Sequence, residues 1–466
     1  MKKIIFGTDG WRGVIAEDFT FENVKKVAYA TALYFKKHKK IKNGIVVGYD
    51  ARFLSKEFAE ITAQVIASAG LKVLLSDRIS STPMVSLGVV KLKCAGGIVI
   101  TASHNPAKYN GFKLKGDFGG PAHPEMVADL EKILAPIEEL KELPIELISI
   151  EKLIKSKKIE MINYTAIYYE DLQSKIEFDV IGNRNLKIVY DAMYGAGQGV
   201  AQLFYPRISA IRNSFNPSFG GAHPEPLAQN LEELMLEVKL ENADFGFATD
   251  GDADRVGAVD ENGKFVDSHR IFAILLKYLV EHRLLKGEVV KSLSVSELIT
   301  KMCVKYKIKL HETPVGFKHL CRMMTEKEII IAGEESGGIG VLGHLPERDG
   351  IFIGYLLAEV ISVRQKKLSE LVEELFREFG EHHYSRIDKH LCEKDKERIL
   401  KFCKSKPKKI GKLTINKIDT TDGFKFFTND GWILVRDSGT EPLIRFYAEA
   451  NTPAKVNEML KAVTSL

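Results

Sequence analysis

Thr101-Ala102-Ser103-His104-Asn105-Pro106, running on to Tyr109-Asn110-Gly111-Phe112-Lys113, is the stretch from which the rest of the chain can be read. Immediately before it lies Ala95 to Ile100 (AGGIVI), a short β-branched run that also contains glycine. Such a run predicts a buried strand whose carboxyl end delivers Ser103 into a loop. In open α/β sheets that edge is where ligands bind. Asn105-Pro106 ends regular structure just beyond the serine, because a residue before proline is pushed out of the α region. The Ser103 hydroxyl is therefore expected on a constrained turn. Composition alone fits an ordinary turn rich in Ser, Asn and Pro, so the decision rests on what accompanies it.

Four further segments accompany it: Gly7-Thr8-Asp9-Gly10-Trp11-Arg12-Gly13, the acidic run Asp250 to Arg255, Gly333-Glu334-Glu335-Ser336-Gly337-Gly338, and Arg436-Asp437-Ser438-Gly439-Thr440-Glu441-Pro442. Taken with the serine loop, in this order and over nearly the full length, they resemble the α-D-phosphohexomutases, the family of phosphoglucomutases and phosphomannomutases. The resemblance implies three α/β domains with mixed sheets, a C-terminal α+β domain, and an active site in the central cleft.

The 466 residues exceed what one hydrophobic core organises, so several domains are expected. Hydrophobic residues at 45% and charged residues at 28% are those of a soluble globular protein, and no window approaches a membrane span. Met1-Lys2-Lys3 is followed by too few apolar residues for a signal peptide, which predicts a cytoplasmic enzyme. Five cysteines without a CxxC pair argue against a disulfide framework or a zinc site. Lysine clusters at Lys36 to Lys42, Lys152 to Lys158 and Lys404 to Lys412 lack interleaved aromatics and read as solvated faces, so no nucleic-acid partner is expected. A monomer or a homodimer fits equally.

Residues 1–150 alternate apolar runs (Gly44 to Gly48, Lys72 to Leu75, Gly97 to Ile100) with helical spacing at Phe21 to Phe35, Glu57 to Ala69 and His123 to Leu134. Arg12 and the pair Asp50 and Arg52 should arrive at the edge bearing Ser103, where an arginine suits a phosphate; for Asp50 and Arg52 a surface ion pair is the equal alternative. The charged stretch Ile137 to Lys158 marks a boundary and Met161 to Ile176 a connecting helix. A second unit, 151–262, opens with Leu186 to Tyr190 and closes with Phe245 to Thr249. A third, 263–376, contains Ser294 to Ile299, Ile329 to Ala332 and helices Arg270 to Val280 and Ile351 to Val363. Three times an apolar strand ends in a small or acidic loop: IVITASHNP, FGFATDGDADR and IIIAGEESGG. In 377–466, Gly411 to Ile418, Phe424 to Thr428, Trp432 to Arg436 and Leu443 to Ala450 read as strands, with a hairpin at Asn429-Asp430-Gly431 and a closing helix Ala454 to Val463.

Asp250, Asp252 and Asp254 put three carboxylates in one tight loop, and their mutual repulsion implies a cation. A calcium EF-hand fails, since Arg255 stands where the sharp turn needs glycine and the flanks are strand-like. Mg2+ fits, and the resemblance supplies its partner: a phosphorylated Ser103 completes the set made by Asp250, Asp252 and Asp254. Arg255 then adds electrostatic support. Lys113 is the acid/base candidate and His104 a local hydrogen-bonding residue. Glu334 and Ser336 are implied sugar ligands and Lys318 the basic residue of a second ligand loop. Arg436, Ser438, Gly439, Thr440 and Arg445 have the inventory of a phosphate cradle. The implied substrates are hexose phosphates, with a sugar 1,6-bisphosphate as activator. The resemblance also implies glucose or mannose over glucosamine, since its glucosamine-type members usually carry glutamine where Glu335 stands and often serine where Thr101 stands.

Overall fold

The computed structural model describes residues 3–7, 9–437 and 443–466. Its first sheet has six strands in the order Trp11–Val14, Tyr109–Lys115, Gly96–Ile100, Ile45–Tyr49, Val73–Ser76 and Ile159–Ile162. The three central strands are parallel and buried along their whole length. Val46, Leu74 and Val99 face one apolar cluster while Ile45, Val47, Val73, Ile98 and Ile100 face another. This is the period-two signature of a sheet covered on both faces.

The second sheet has five strands (Phe265–Val266, Val256–Asp260, Phe245–Thr249, Ile188–Asp191, Ile208–Ile211) and the third four (Leu310–Thr313, Glu288–Ser292, Ile329–Gly333, Ile339–Val341). One device recurs in all three. A central parallel strand runs to its carboxyl end, passes through a loop and returns as an antiparallel neighbour: Gly96–Ile100 to Tyr109–Lys115, Phe245–Thr249 to Val256–Asp260, and Ile329–Gly333 to Ile339–Val341. The three intervening loops are the serine loop, the Asp loop and Glu334 to Gly338. The fourth unit is a five-stranded antiparallel sheet, His383–His390, Leu443–Ala450, Gly431–Asp437, Phe424–Phe427 and Lys417–Asp419, backed by helices Glu393–Lys404 and Pro453–Thr464.

Several expected elements differ. Ile159–Ile162 pairs with Val73–Ser76, so the first sheet runs past residue 150, and Phe265–Val266 carries the second past 262. The helix Leu368–Phe379 likewise runs past 376. The charged stretch before residue 158 is a long surface crossover that leads back to the sheet. Met161 accordingly lies in a strand, and the helix after it is Tyr164–Gln173. Ser294 to Ile299 is no strand: Ser296 caps the helix Glu297–Tyr306, its side chain accepting from the Leu298 amide. Gly411 to Ile418 breaks into Leu413–Thr414 and Lys417–Asp419, in separate sheets.

Candidate active site

Ser103 follows the buried strand Gly96–Ile100 and takes φ +53°, a left-handed conformation that a serine adopts only when its surroundings impose it. Arg52 imposes much of it. Its guanidinium donates to the carbonyls of Ser103 and Asn105 (2.6 Å each), Pro106 (2.9 Å) and Tyr109 (3.0 Å). Asp50 lies 3.2 Å from Arg52 Nε and accepts from Thr101 Oγ1 (2.5 Å) and Ser55 Oγ (2.7 Å). Both residues are buried. The ion pair expected as the alternative forms, but it is buried rather than on the surface, and Arg52 spends its remaining donors on backbone carbonyls under the serine loop. The Phe219 ring of the second unit covers it, 4.8 Å from the guanidinium carbon.

The Asp loop closes on the serine loop through Gly251, where a Cβ would meet the Ser103 carbonyl oxygen at 2.2 Å. Asp250, Asp252 and Asp254 are fully buried, with one ligand atom of each lying within 4.8 Å of the others. In every carboxylate at least one oxygen is engaged by the protein. Asp250 Oδ1 accepts from the amides of Asp254 (2.9 Å) and Arg255 (3.1 Å), and its Oδ2 accepts from Ser103 Oγ at 2.8 Å. Asp252 Oδ2 accepts from Thr82 Oγ1 (2.5 Å) and Lys113 Nζ (2.7 Å); Asp254 Oδ2 meets Lys113 at 3.1 Å and Arg348 at 2.7 Å. Asp252 Oδ1 and Asp254 Oδ1 are buried without a hydrogen-bond partner among the described residues. Two orphaned carboxylate oxygens beside the Asp250–Ser103 pair, an all-oxygen donor set, fit a hard divalent cation.

Charge is arranged tightly around this centre. Burial and then the Asp254 and Asp252 carboxylates push Asp250 well above the usual carboxylate range. Burial works to neutralise Lys113, but Asp252, Asp254 and Asp9 outweigh it and hold the ammonium above its ordinary value. Asp9, 2.8 Å from Lys113 and 2.6 Å from Arg348, is held well below its usual range against the cost of burial. Burial, followed by Arg255, Arg12 and Lys113, keeps His104 well below its usual value and therefore neutral. Its Nδ1 lies 3.3 Å from Ser103 Oγ.

Four models of the phosphoglucomutase/phosphomannomutase domains match the chain: α/β/α domain I over 3–141, α/β/α domain II over 166–263, α/β/α domain III over 267–379 and the C-terminal domain over 393–466. The chain belongs to the phosphoglucomutase/phosphomannomutase family. It is 31% identical to a phosphoglucomutase/phosphomannomutase of Thermococcus kodakarensis over 98% of this chain and 97% of the relative. It is 35% identical to a phosphoglucosamine mutase of Carboxydothermus hydrogenoformans, covering 97% and 96%. A crystal structure of a Thermus thermophilus protein, provisionally named a phosphomannomutase, superposes with a TM-score of 0.87 at 32% identity, covering 100% and 99%. Members of this mutase family are enzymes that move a phosphoryl group within a sugar phosphate, and the four-unit α/β architecture is theirs.

The remaining residues expected at the site have the following surroundings. Arg12 Nη1 donates to Asn105 Oδ1 at 2.5 Å, at the rim of the serine loop. Arg255 Nη1 donates to Glu225 at 2.9 Å, with its Nε 3.9 Å from Asp250. Glu334 accepts from the Gly316 amide at 2.8 Å, and burial pushes its carboxyl up to about 7. Ser336 is half-buried in the same loop. Glu335 turns aside to accept from Ser294 Oγ at 2.5 Å. Lys318, half-buried, stands in the first turn of Phe317–Glu326 beside the Gly316 amide that Glu334 holds. Arg436 and Arg445 are direct cross-strand partners. Arg436 is 2.8 Å from Asp422, and Arg445 is 3.6 Å from Asp388. Ser438, Gly439 and Thr440 lie outside the described residues.

Lys113 departs from a simple base. With three carboxylates around it, it is kept charged, so in this arrangement it does not take a proton and gives one up less readily than an ordinary lysine. Sequence reasoning misses Thr82, Glu225 and Arg348. Of these only Arg348 carries a signal, in the charged triplet Glu347-Arg348-Asp349 set between Leu345 and Ile351. Asp9 lies within the Gly7 to Gly13 motif but has no signal of its own there. Among the described residues no helix is long and apolar enough to cross a membrane.

Proposed function

We propose that the enzyme is a Mg2+-dependent phosphohexomutase that interconverts the 1-phosphate and 6-phosphate of glucose, and also of mannose, through phosphorylated Ser103 and a bisphosphorylated sugar. The observation that carries this reading is the 2.8 Å hydrogen bond from Ser103 Oγ to Asp250, beside two orphaned carboxylate oxygens. Asp250, Asp252 and Asp254 would hold Mg2+, which when bound supplies charge neutralisation for the phosphoryl group on Ser103.

Ser103 gives its phosphoryl group to the free sugar hydroxyl: the bond from Oγ to phosphorus breaks, one to the sugar oxygen forms, and the hydroxyl proton passes by way of Lys113, which takes it as it gives its own to the Oγ that loses phosphorus. In the second half the sugar, turned end for end, returns its other phosphoryl group to Ser103. Lys113 donates a proton to the oxygen that loses phosphorus, and Arg255 supports charge in transfer. His104 and Arg12 order the serine loop. Glu334 and Ser336 bind sugar hydroxyls, with Lys318 beside them. Arg436 and Arg445, with Ser438, Gly439 and Thr440, grip the phosphate that is not reacting. Two arginines directly opposite on paired strands repel, and an anion between them reverses that sign.

A phosphoglucosamine mutase is the second reading, supported by the name of the 35% identical relative. Purified enzyme with Mg2+ and a trace of sugar 1,6-bisphosphate, offered glucose, mannose and glucosamine 1-phosphates in parallel, separates the two. The expected outcome is faster turnover of glucose and mannose. A glucosamine preference of tenfold or more selects the second reading. Ser103→Ala should abolish turnover on every substrate while sugar-phosphate binding persists, and tryptic mass spectrometry should place phosphate on Ser103 of active enzyme.

A further inference from the structure

Four groups close a ring at the centre of the cleft. Lys113 Nζ and Arg348 Nη2 both contact Asp9 Oδ2, at 2.8 and 2.6 Å, and both contact Asp254 Oδ2, at 3.1 and 2.7 Å. The first unit contributes Asp9 and Lys113, the second Asp254 and the third Arg348. Arg348 is buried, and its guanidinium lies 5.2 Å over the Phe317 ring. What lets it reach is a missing side chain. A Cβ built on Gly338 would meet Arg348 Cδ at 2.4 Å and Cγ at 2.9 Å. The stem of Arg348 thus fills the space that any other residue at 338 would claim, and the helix Gly350–Arg364 begins two residues beyond it.

We propose that Arg348 is a positioning residue of the phosphoryl-transfer centre, admitted by Gly338: by occupying Asp254 Oδ2 and Asp9 Oδ2 it fixes the Asp254 carboxylate so that Oδ1 is presented to the cation. The inference rests on the reading of the Asp loop as a cation site. An arginine fork suits the task because its planar donors bridge two carboxylates at once, which a lysine's point charge does less specifically. Groups that orient a metal ligand without touching the metal are worth about 10–100-fold in metal affinity when removed. Charge alone argues the opposite way, since deleting a cation beside the site would tighten binding of another cation. The two effects have opposite signs, so one measurement decides between them.

The test is Mn2+ binding, followed by electron paramagnetic resonance, to wild-type and Arg348→Met protein at matched ionic strength, alongside steady-state kinetics. Positioning predicts weaker Mn2+ binding by about 10–100-fold and a fall in kcat with the sugar-phosphate KM little changed. Unchanged or tighter Mn2+ binding overturns it, as does a rise in KM alone, which would make Arg348 a substrate contact. A thermal-melting cycle in chelator covers the chance that Arg348→Met folds poorly. Gly338→Ala should lower Tm in the wild type, and Arg348→Ala, which removes both clashing carbons, should relieve part of that loss. Additive effects would mean that the two positions are independent. Because Mn2+ binding and melting need no sugar, a wrong substrate assignment would leave these results standing, whereas failure of wild-type protein to bind Mn2+ would sink the reading of the Asp loop itself.

Discussion

Arg52 shows how a residue can matter to a reaction without facing the substrate. Four carbonyls of the serine loop end on its guanidinium, and Asp50 neutralises it from below. Arg52→Ala would leave a buried carboxylate and several carbonyls without partners, a change that costs about 3–5 kcal/mol for a broken buried pair. Urea denaturation should show that loss, and the released serine loop should lower kcat. Stability within about 1 kcal/mol of wild type would show that the loop finds other support. A second residue-scale expectation concerns Glu334, whose carboxyl burial raises from 4.5 to about 7. Between those values the folded protein binds a proton that the unfolded chain has released, so the stability this group contributes is complete below about pH 4.5 and is lost as pH rises through about 7. Glu334→Gln should flatten the fall of Tm across that window, and an unaltered slope would place the proton elsewhere. The sequence disclosed Ser103 and the three aspartates because their chemistry is local to a motif. It carried no sign of Thr82 or Glu225 and marked Arg348 only by its charged triplet, since their partners are 170, 30 and 94 positions away and nothing in a one-dimensional string marks which distant groups meet.

Strands were the most legible elements. Phe245–Thr249 and Leu443–Ala450 fell where their apolar runs predicted, because strands buried along nearly their whole length leave a clean apolar run. Ile159–Ile162 escaped notice because it is short, carries Glu160 and follows a lysine-rich crossover. Arg436 and Arg445 also became a pair only through strand register, which sequence could not supply. Their opposition makes a specific prediction. Charge-assisted bonds to a phosphate are worth roughly 1.5–3 kcal/mol, so Arg436→Ala should cost about tenfold or more in kcat/KM. Separately measured Kd values for the 1-phosphate and the 6-phosphate should weaken alike if, as proposed, each presents its unreactive phosphate to the same two strands. Impairment of one substrate alone would assign that phosphate to the Lys318 loop.

At the scale of the whole molecule, one apolar cluster threads the first three units, from Val46 through Tyr190 and Phe272 to Leu375, whereas the fourth has its own, from Ile399 to Val463. Among the described residues a small apolar cluster, Leu293 with Trp432, Leu434 and Tyr447, joins the fourth unit's sheet to the rest. Calorimetry should therefore resolve two transitions, with the fourth unit melting apart from a cooperative body of three. A single transition with equal calorimetric and van't Hoff enthalpies would contradict that division. The four-unit plan was visible in sequence through its motifs, but the shared core was not, because apolar residues do not announce which neighbour they will meet. The ring of Lys113, Asp9, Arg348 and Asp254 has a consequence for how the enzyme comes into being. Asp9 and Arg348 are 339 residues apart, and at about 5–20 residues per second a ribosome takes roughly 17–70 s to travel between them. Until that interval ends the ring is incomplete, lacking first Lys113, then Asp254 and last Arg348, and no fragment released before residue 348 can assemble it. If Arg348 positions Asp254 as proposed, activity can arise only within about the last quarter of translation.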